Sequence, residues 1–283
     1  MQLEKQVLEL KPFTKVKHGK KLFNLKKLKA STVKKPSLKQ LELALQNSVN
    51  DSVKKVKGKT CVFFSGGLDS GLIAFLLSKK IKVTLLTVGL KNSIDVLEAK
   101  NSAKLLGLPL LVREVKEKEV SSYTLQTLKT LNFYDSLQLQ IALPFYILSE
   151  FASRKGFKNV FLGQGADELF CGYTKFIKTS NPKQLSWQLL DNIYSDNLYR
   201  DTLILKKFKL KPFTPFLELN FVIQAMSFPA KQNLSTSNDE LRKRLLRKLA
   251  VKMGLPKQIA LRKKKAIQYG SGLSKTVLKL IKV

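Results

Sequence analysis

Two cysteines and a single histidine are a thin stock for a chain of 283 residues. Cys61 and Cys171 lie far apart, neither belongs to a Cys-x-x-Cys pair, and His18 stands alone. Structural zinc sites, Ser-His-Asp and Cys-His mechanisms and most disulfide frameworks are thereby excluded. Both cysteines are expected to be small buried apolar residues rather than reactive thiols. Long apolar runs are also missing, and none approaches the ~20 residues that span a bilayer. The longest, around Leu137 to Leu148, is interrupted by Gln138, Gln140 and Pro144 and reads as a buried helix. The N-terminus alternates lysine with apolar residues and has no signal-peptide core, so a cytoplasmic location and no membrane partner are expected. Chemistry must then come from carboxylates, lysines, backbone amides and a bound ion.

Acid is scarce as well: 20 Asp+Glu face 52 Lys+Arg, a formal charge of +32. Such a field attracts phosphates and nucleic acid. Yet only seven of the basic residues are arginines, whose planar fork suits base-specific readout. A lysine-rich surface also arises from compositional bias. RNA contact and compositional bias therefore stand as open alternatives.

What is present is an alternating pattern. Residues 1–55 read as a basic extension with weak strand alternation at 6–10 and 14–17, followed by a lead-in helix capped by Ser37. From residue 56 onward a larger domain follows. Thr60-Cys61-Val62-Phe63-Phe64, residues 81–88, Leu110 to Val115 and Asn159 to Gly163 read as strands, with helices at 72–77, 94–106 and 137–155. Strand and helix alternating at this spacing means parallel crossovers and a doubly wound α/β sheet, with a mainly helical C-terminal part from about Phe176.

Two turns carry the chemistry. Ser65-Gly66-Gly67-Leu68-Asp69-Ser70 lies between a buried strand and a helix. Its glycines let the backbone approach a phosphate, and the helix start offers free N–H groups. Asp69 beside phosphates makes sense with Mg²⁺ between them. No Gly-Lys-Ser/Thr ending follows, so this is not a Walker A loop. Gly163-Gln164-Gly165-Ala166-Asp167-Glu168 likewise follows an apolar strand. In a parallel sheet both turns emerge at the carboxyl edge, where ligands bind. Asp69 and Asp167 can then face one ion and one pyrophosphate from two sides.

The two loops, their order and their separation resemble the synthetase domain of asparagine synthetase and its relatives, including the β-lactam-forming synthetases. Thr87-Val88-Gly89-Leu90 with Asn92-Ser93 and Asp95, Tyr134-Asp135 through Pro144 and Tyr146, Pro215-Phe216-Leu217-Glu218, and Arg262-Lys263-Lys264-Lys265 with Gly270 are similar to further segments of that family. The resemblance covers about Leu41 to Gly272. It implies a PP-loop fold of the adenine-nucleotide α-hydrolase-like type and an ATP- and Mg²⁺-dependent ligase. In that family a carboxylate attacks the α-phosphorus of ATP, and ammonia or an amine then displaces AMP. By position, Ser65, Gly66, Gly67, Asp69, Ser70, Val88 and Gly163 would bind ATP, Asp69 and Asp167 would hold Mg²⁺, and Lys264, Asp167 and Glu168 would be catalytic.

Three departures accompany it. The family's glutaminase half needs a cysteine after the initiating methionine, whereas Gln2 follows Met1 here, so free ammonia, an amine or a separate ammonia-supplying subunit is expected. The acid of the second loop is Gln164, which cannot take a proton. Leu137, Gln138 and Gln140 replace the hydroxyls and arginine near the substrate, so no carboxylate-binding arginine is expected there. Two other functions stay open: a PP-loop ATPase of tRNA or RNA modification, and a nucleotide-binding regulator.

Overall fold

The computed structural model describes residues 11–12, 20–234, 241–263 and 270–281. The strands expected near 6–10 and 14–17 lie outside them. Strand β1 (Lys11–Pro12) is followed by helix α1 (Leu25–Ala30) and helix α2 (Leu38–Lys54). Ser37 caps α2 by accepting from the Gln40 amide at 3.2 Å. Leu41, Ala44, Leu45 and Val49 recur at helical spacing and are buried in the same core as the helix of the first Gly-rich turn.

Three strand–helix units follow: β2 (Thr60–Phe63) with α3 (Leu68–Ser78), β3 (Thr84–Leu90) with α4 (Ile94–Leu106), and β4 (Leu110–Val115) with α5 (Glu117–Leu131). Then come β5 (Phe133–Tyr134), α6 (Ser136–Arg154), β6 (Asn159–Phe161) and the short α7 (Ala166–Leu169). The C-terminal part holds α8 (Pro182–Ile193), a π-helical turn at Tyr194–Leu198, α9 (Tyr199–Lys207), β7 (Lys211–Phe213), α10 (Leu219–Ser227), α11 (Arg244–Lys252), α12 (Lys257–Ala260) and α13 (Leu273–Ile281).

The main sheet is parallel in all its pairings, in the order β4-β3-β2-β6-β7, as a doubly wound α/β sheet of the PP-loop type requires. One core lies between the sheet and α2, α3, α10 and α11, the other against α5, α6, α9 and α13. Cys61 and Cys171 are fully buried, and burial pushes the Cys171 thiol up to about 11. Among the described residues no helix is long and apolar enough to cross a membrane.

Two elements correct the expected layout. Helix α5 has no simple apolar stripe, because threonines serve as buried residues. Thr124 and Thr127 are buried with their hydroxyls bonded back to Val120 O and Tyr123 O, each at 2.7 Å. The fifth strand of the sheet comes from the part expected to be helical. Lys211-Pro212-Phe213 is too short for a periodic signal and carries proline, which an edge strand tolerates.

The chain order of the strands runs from β2 outward to β4 on one side and through β6 to β7 on the other. The reversal lies between β2 and β6, and both acidic loops leave the sheet there. That crevice is where open parallel sheets take ligands.

Candidate active site

The first loop turns sharply at Gly66, whose φ is +69°. A Cβ there would stand 2.7 Å from the Glu98 carbonyl oxygen, so glycine alone fits. The Gly66 carbonyl is held by the Ser102 hydroxyl at 2.8 Å and the Arg262 guanidinium at 3.0 Å. Ser65 and Ser70 close the loop on itself, with the Ser65 amide donating to Ser70 Oγ at 3.3 Å. Gly67 is the N-cap of α3 and has no side chain over the helix end, which leaves the first-turn amides open to an anion.

Gly163 brings the second loop against the first. A Cβ on it would lie 2.9 Å from Asp69 Cβ and 3.1 Å from the Ser70 amide. Behind it, Leu217 of the Pro-Phe-Leu-Glu turn packs on Gly165, and Ser48 of α2 donates to Pro215 O at 2.6 Å. The motif at 215–218 thus buttresses the second loop. Val88 lies near the carboxyl end of β3, its side chain buried in the α5–α6 core.

Between the loops lies a residue that sequence reasoning missed. Lys243 Nζ is 2.6 Å from Asp69 Oδ2 and 2.8 Å from Asp167 Oδ1, with its side chain 2% exposed. Burial pulls the pKa of this lysine down, but Asp167 and then Asp69 together carry it above the ordinary lysine value. Its signal was a lysine before the apolar run Leu245-Leu246, drowned in a lysine-rich chain.

Two carboxylates together with phosphate oxygens are the donor set that Mg²⁺ takes. Asp69 Oδ1 is buried with no hydrogen-bond partner among the described residues, so an acceptor is available. Asp69 and Asp167 therefore fit the ion. No cluster of three or more His, Cys, Asp or Glu side chains suited to a metal occurs among the described residues.

Glu168 is placed differently. It is buried, and its Oε1 accepts from the Tyr173 hydroxyl at 2.6 Å and the Asn197 amide at 3.1 Å. The first bond stays local and the second runs to the C-terminal part; neither goes to the first loop. Burial and then the Asp167 charge push its carboxyl above the usual range, and burial and Glu168 likewise raise the Tyr173 hydroxyl well above its own.

Positions 137, 138 and 140 carry no arginine, yet one reaches them from another element. The arginine of α6 itself, Arg154, stands at the far end of the helix, but α9 delivers Arg200 to Gln138 near its start. Arg200 donates to Gln138 Oε1 at 2.7 Å and to Asp201 Oδ1 at 2.8 Å, and Gln164 donates to Asp201 Oδ2. The π-helical turn sets this register, carrying Asn197 to Glu168 and the Asp196 carbonyl to Gln138 at 3.0 Å. A buried carboxylate has thus returned next to Gln164 from 37 residues downstream. Gln140 instead bonds back to Ser136 O at 3.2 Å within α6.

Lys264 lies outside the described residues, as does Lys265. Both flanks of its segment are anchored at the site. On one side Arg247 donates to Ala260 O at 2.6 Å and Arg262 O at 2.9 Å, and Arg262 reaches Gly66. On the other, Gly270 packs on Asp95, and the Leu90 amide donates to Ser271 O at 3.0 Å.

The family model for asparagine synthase matches residues 40–212 and 180–282. The chain belongs to the asparagine synthase family. It is 34% identical over 298 residues to the putative asparagine synthetase [glutamine-hydrolyzing] 1 of Methanocaldococcus jannaschii, covering 91% of this chain and 54% of that protein. With asparagine synthetase [glutamine-hydrolyzing] 2 of Oryza sativa subsp. japonica it shares 30% over 238 residues, 75% of this chain and 39% of that one. This member of the family thus spans about half the length, or less, of these curated relatives. Among solved structures, the U34-tRNA thiolase NcsA from Methanococcus maripaludis is similar at 15% identity and a TM-score of 0.43, over 86% of this chain and 72% of that one. The NMN synthetase from Francisella tularensis is similar at 16% identity and a TM-score of 0.36, over 60% of this chain and 94% of that one.

Proposed function

We propose that this chain is an ATP-dependent, AMP- and pyrophosphate-forming ligase that adenylates a carboxylate and passes it to ammonia or an amine. The observation that carries this reading is the junction of the two acidic loops at the reversal of the sheet. The open helix start of α3 with Ser65 and Ser70, and the Lys243 ammonium on Asp69, come together there. Pyrophosphate would be held by the amides of 67–70, with Asp69 and Asp167 holding Mg²⁺. When bound, Mg²⁺ would offset phosphate charge. Arg262 fixes the Gly66 carbonyl and so keeps the loop's amides turned toward the ligand. Lys264 is proposed as a further cation that stabilises charge developing in adenylation.

On the acid side, the Arg200 guanidinium, held by Gln138 and Asp201, supplies the donor, and Asp201 supplies the carboxylate that position 164 lacks. An amino acid, with one charge of each sign, suits such a pair, and aspartate is the first acid to try. The basic surface supports a second reading, in which the activated group belongs to RNA. Release of pyrophosphate from ATP and Mg²⁺ separates the two, with aspartate plus ammonia set against total tRNA. Stimulation by aspartate plus ammonia is expected; stimulation by tRNA alone would overturn the amidoligase reading. Asp69→Asn should abolish release, and full activity in that variant would refute the site.

A further inference from the structure

A buried ammonium stands where two carboxylates converge. Lys243 Nζ contacts Asp69 Oδ2 at 2.6 Å and Asp167 Oδ1 at 2.8 Å. The surroundings are shaped for it. The backbone enters a left-handed conformation at Lys243, φ 60°, just before α11. Gly172 leaves room for the lysine stem, since a Cβ there would overlap both Lys243 Cε and Asp167 Oδ1. With the lysine in place, the carboxylate pair carries one net negative charge instead of two.

That changes what the pair can bind. Mg²⁺ gives up water reluctantly and is held by one or two carboxylates together with substrate phosphates. A fixed ammonium already in contact with both acids repels a bare divalent ion at close range, with little water between to screen it. Pyrophosphate reverses the balance. An ammonium has three N–H donors, and among the described residues two are engaged, by Asp69 and Asp167. The third is available to a phosphate oxygen, whose negative charge offsets the repulsion and adds metal ligands.

We propose that Lys243 is the resident countercharge of this site: it ties the two loops together without nucleotide and excludes a bare divalent ion, so that metal enters only together with a pyrophosphate-bearing ligand. The proposal rests on reading Ser65 to Ser70 as a pyrophosphate site, and goes beyond it by assigning the order of binding.

The test counts Mn²⁺ retained by the full chain after ultrafiltration, with and without inorganic pyrophosphate, in the native protein and in Lys243→Met. No acid substrate or turnover is needed. Native protein should retain Mn²⁺ at least ~10-fold more tightly when pyrophosphate is present, and Lys243→Met should bind Mn²⁺ alone at least ~10-fold more tightly than native. Unchanged Mn²⁺ binding in Lys243→Met overturns the countercharge role. Equal Mn²⁺ retention by native protein with and without pyrophosphate overturns the order of binding, and pyrophosphate counted in the same retentate tells that outcome from the absence of a pyrophosphate site. Lys243→Arg keeps the charge and should behave as native, which guards against Lys243→Met failing to fold. If Lys243→Arg binds bare Mn²⁺ as tightly as native does with pyrophosphate, the role of the charge is refuted.

Discussion

At the scale of single residues, the site depends on atoms that are absent as much as on those present. Gly163 has no Cβ where one would lie 2.9 Å from Asp69 Cβ, closer than carbon atoms pack. Gly163→Ala must therefore part the two loops or tilt α3. Nucleotide affinity should fall at least ~10-fold, about 1.4 kcal/mol, with the far-UV circular dichroism unchanged. Isothermal titration with ATP checks it; native affinity in the variant would show that the loops do not act together. Glu168 offers a second test, through pH. Its carboxyl is raised by burial and then by Asp167, so the folded chain keeps a proton that the unfolded chain has lost. Below the usual carboxylate range both states are protonated and pH has no effect through this group. Stability then falls as pH rises from the usual value to the raised one, and stays at the lower level above it. Glu168→Gln should flatten that part of the profile of melting temperature against pH, and an unaltered slope would assign the dependence elsewhere.

At the scale of elements, α11 is a hub. It begins at Lys243, between the loops, and one turn later Arg247 turns inward to donate to Arg242 O at 2.7 Å as well as to Ala260 O and Arg262 O. These are charge-assisted bonds from a buried fork to backbone. They fix the entry of the segment that carries Arg262 onto the first glycine-rich loop. Arg247→Met keeps much of the volume but leaves these carbonyls unpaired. A loss of about 3 kcal/mol is expected in urea unfolding, together with faster amide exchange at 260–262. A variant that loses stability while those amides stay protected would separate the two roles. The π-helical turn is the other element of this kind. Without its extra residue per turn, α8 would continue in α-register, and Arg200 and Asp201 would be turned away from Gln138 and Gln164.

At the scale of the whole molecule, a formal +32 dominated by lysine is a long-range field without a code. RNA and heparin should be retained alike at about 50 mM salt and released together well before ~0.5 M, because both bind by displacing counterions. A clear preference for one RNA at matched salt would overturn this and revive RNA as a substrate.

Much of the fold was legible because its signals are local. Apolar runs such as Thr60 to Phe64 need burial on both faces, and a doubly wound sheet follows from their spacing. The sharp turn at Ser65 to Ser70 was legible because its glycines and hydroxyls are contiguous, and such motifs do not depend on the rest of the chain. The edge strand at Lys211–Phe213 was not, since three residues beside a proline carry no period. Nor was α5, whose buried threonines read as polar. Lys243, Arg200 and Asp201 were hidden for another reason. One lysine among many, or an Arg-Asp pair on a helix, has no distinguishing neighbours in sequence. Their meaning comes from what they touch: Asp69 lies 174 residues from Lys243, and Gln138 lies 62 from Arg200. The sequence alone thus determined four of the five strands of the sheet and the sharp glycine turn after the first of them. Only the tertiary structure decided which charges neutralise which, because pairing of buried ions is set by distance in space and burial, and neither is written in the order of the chain.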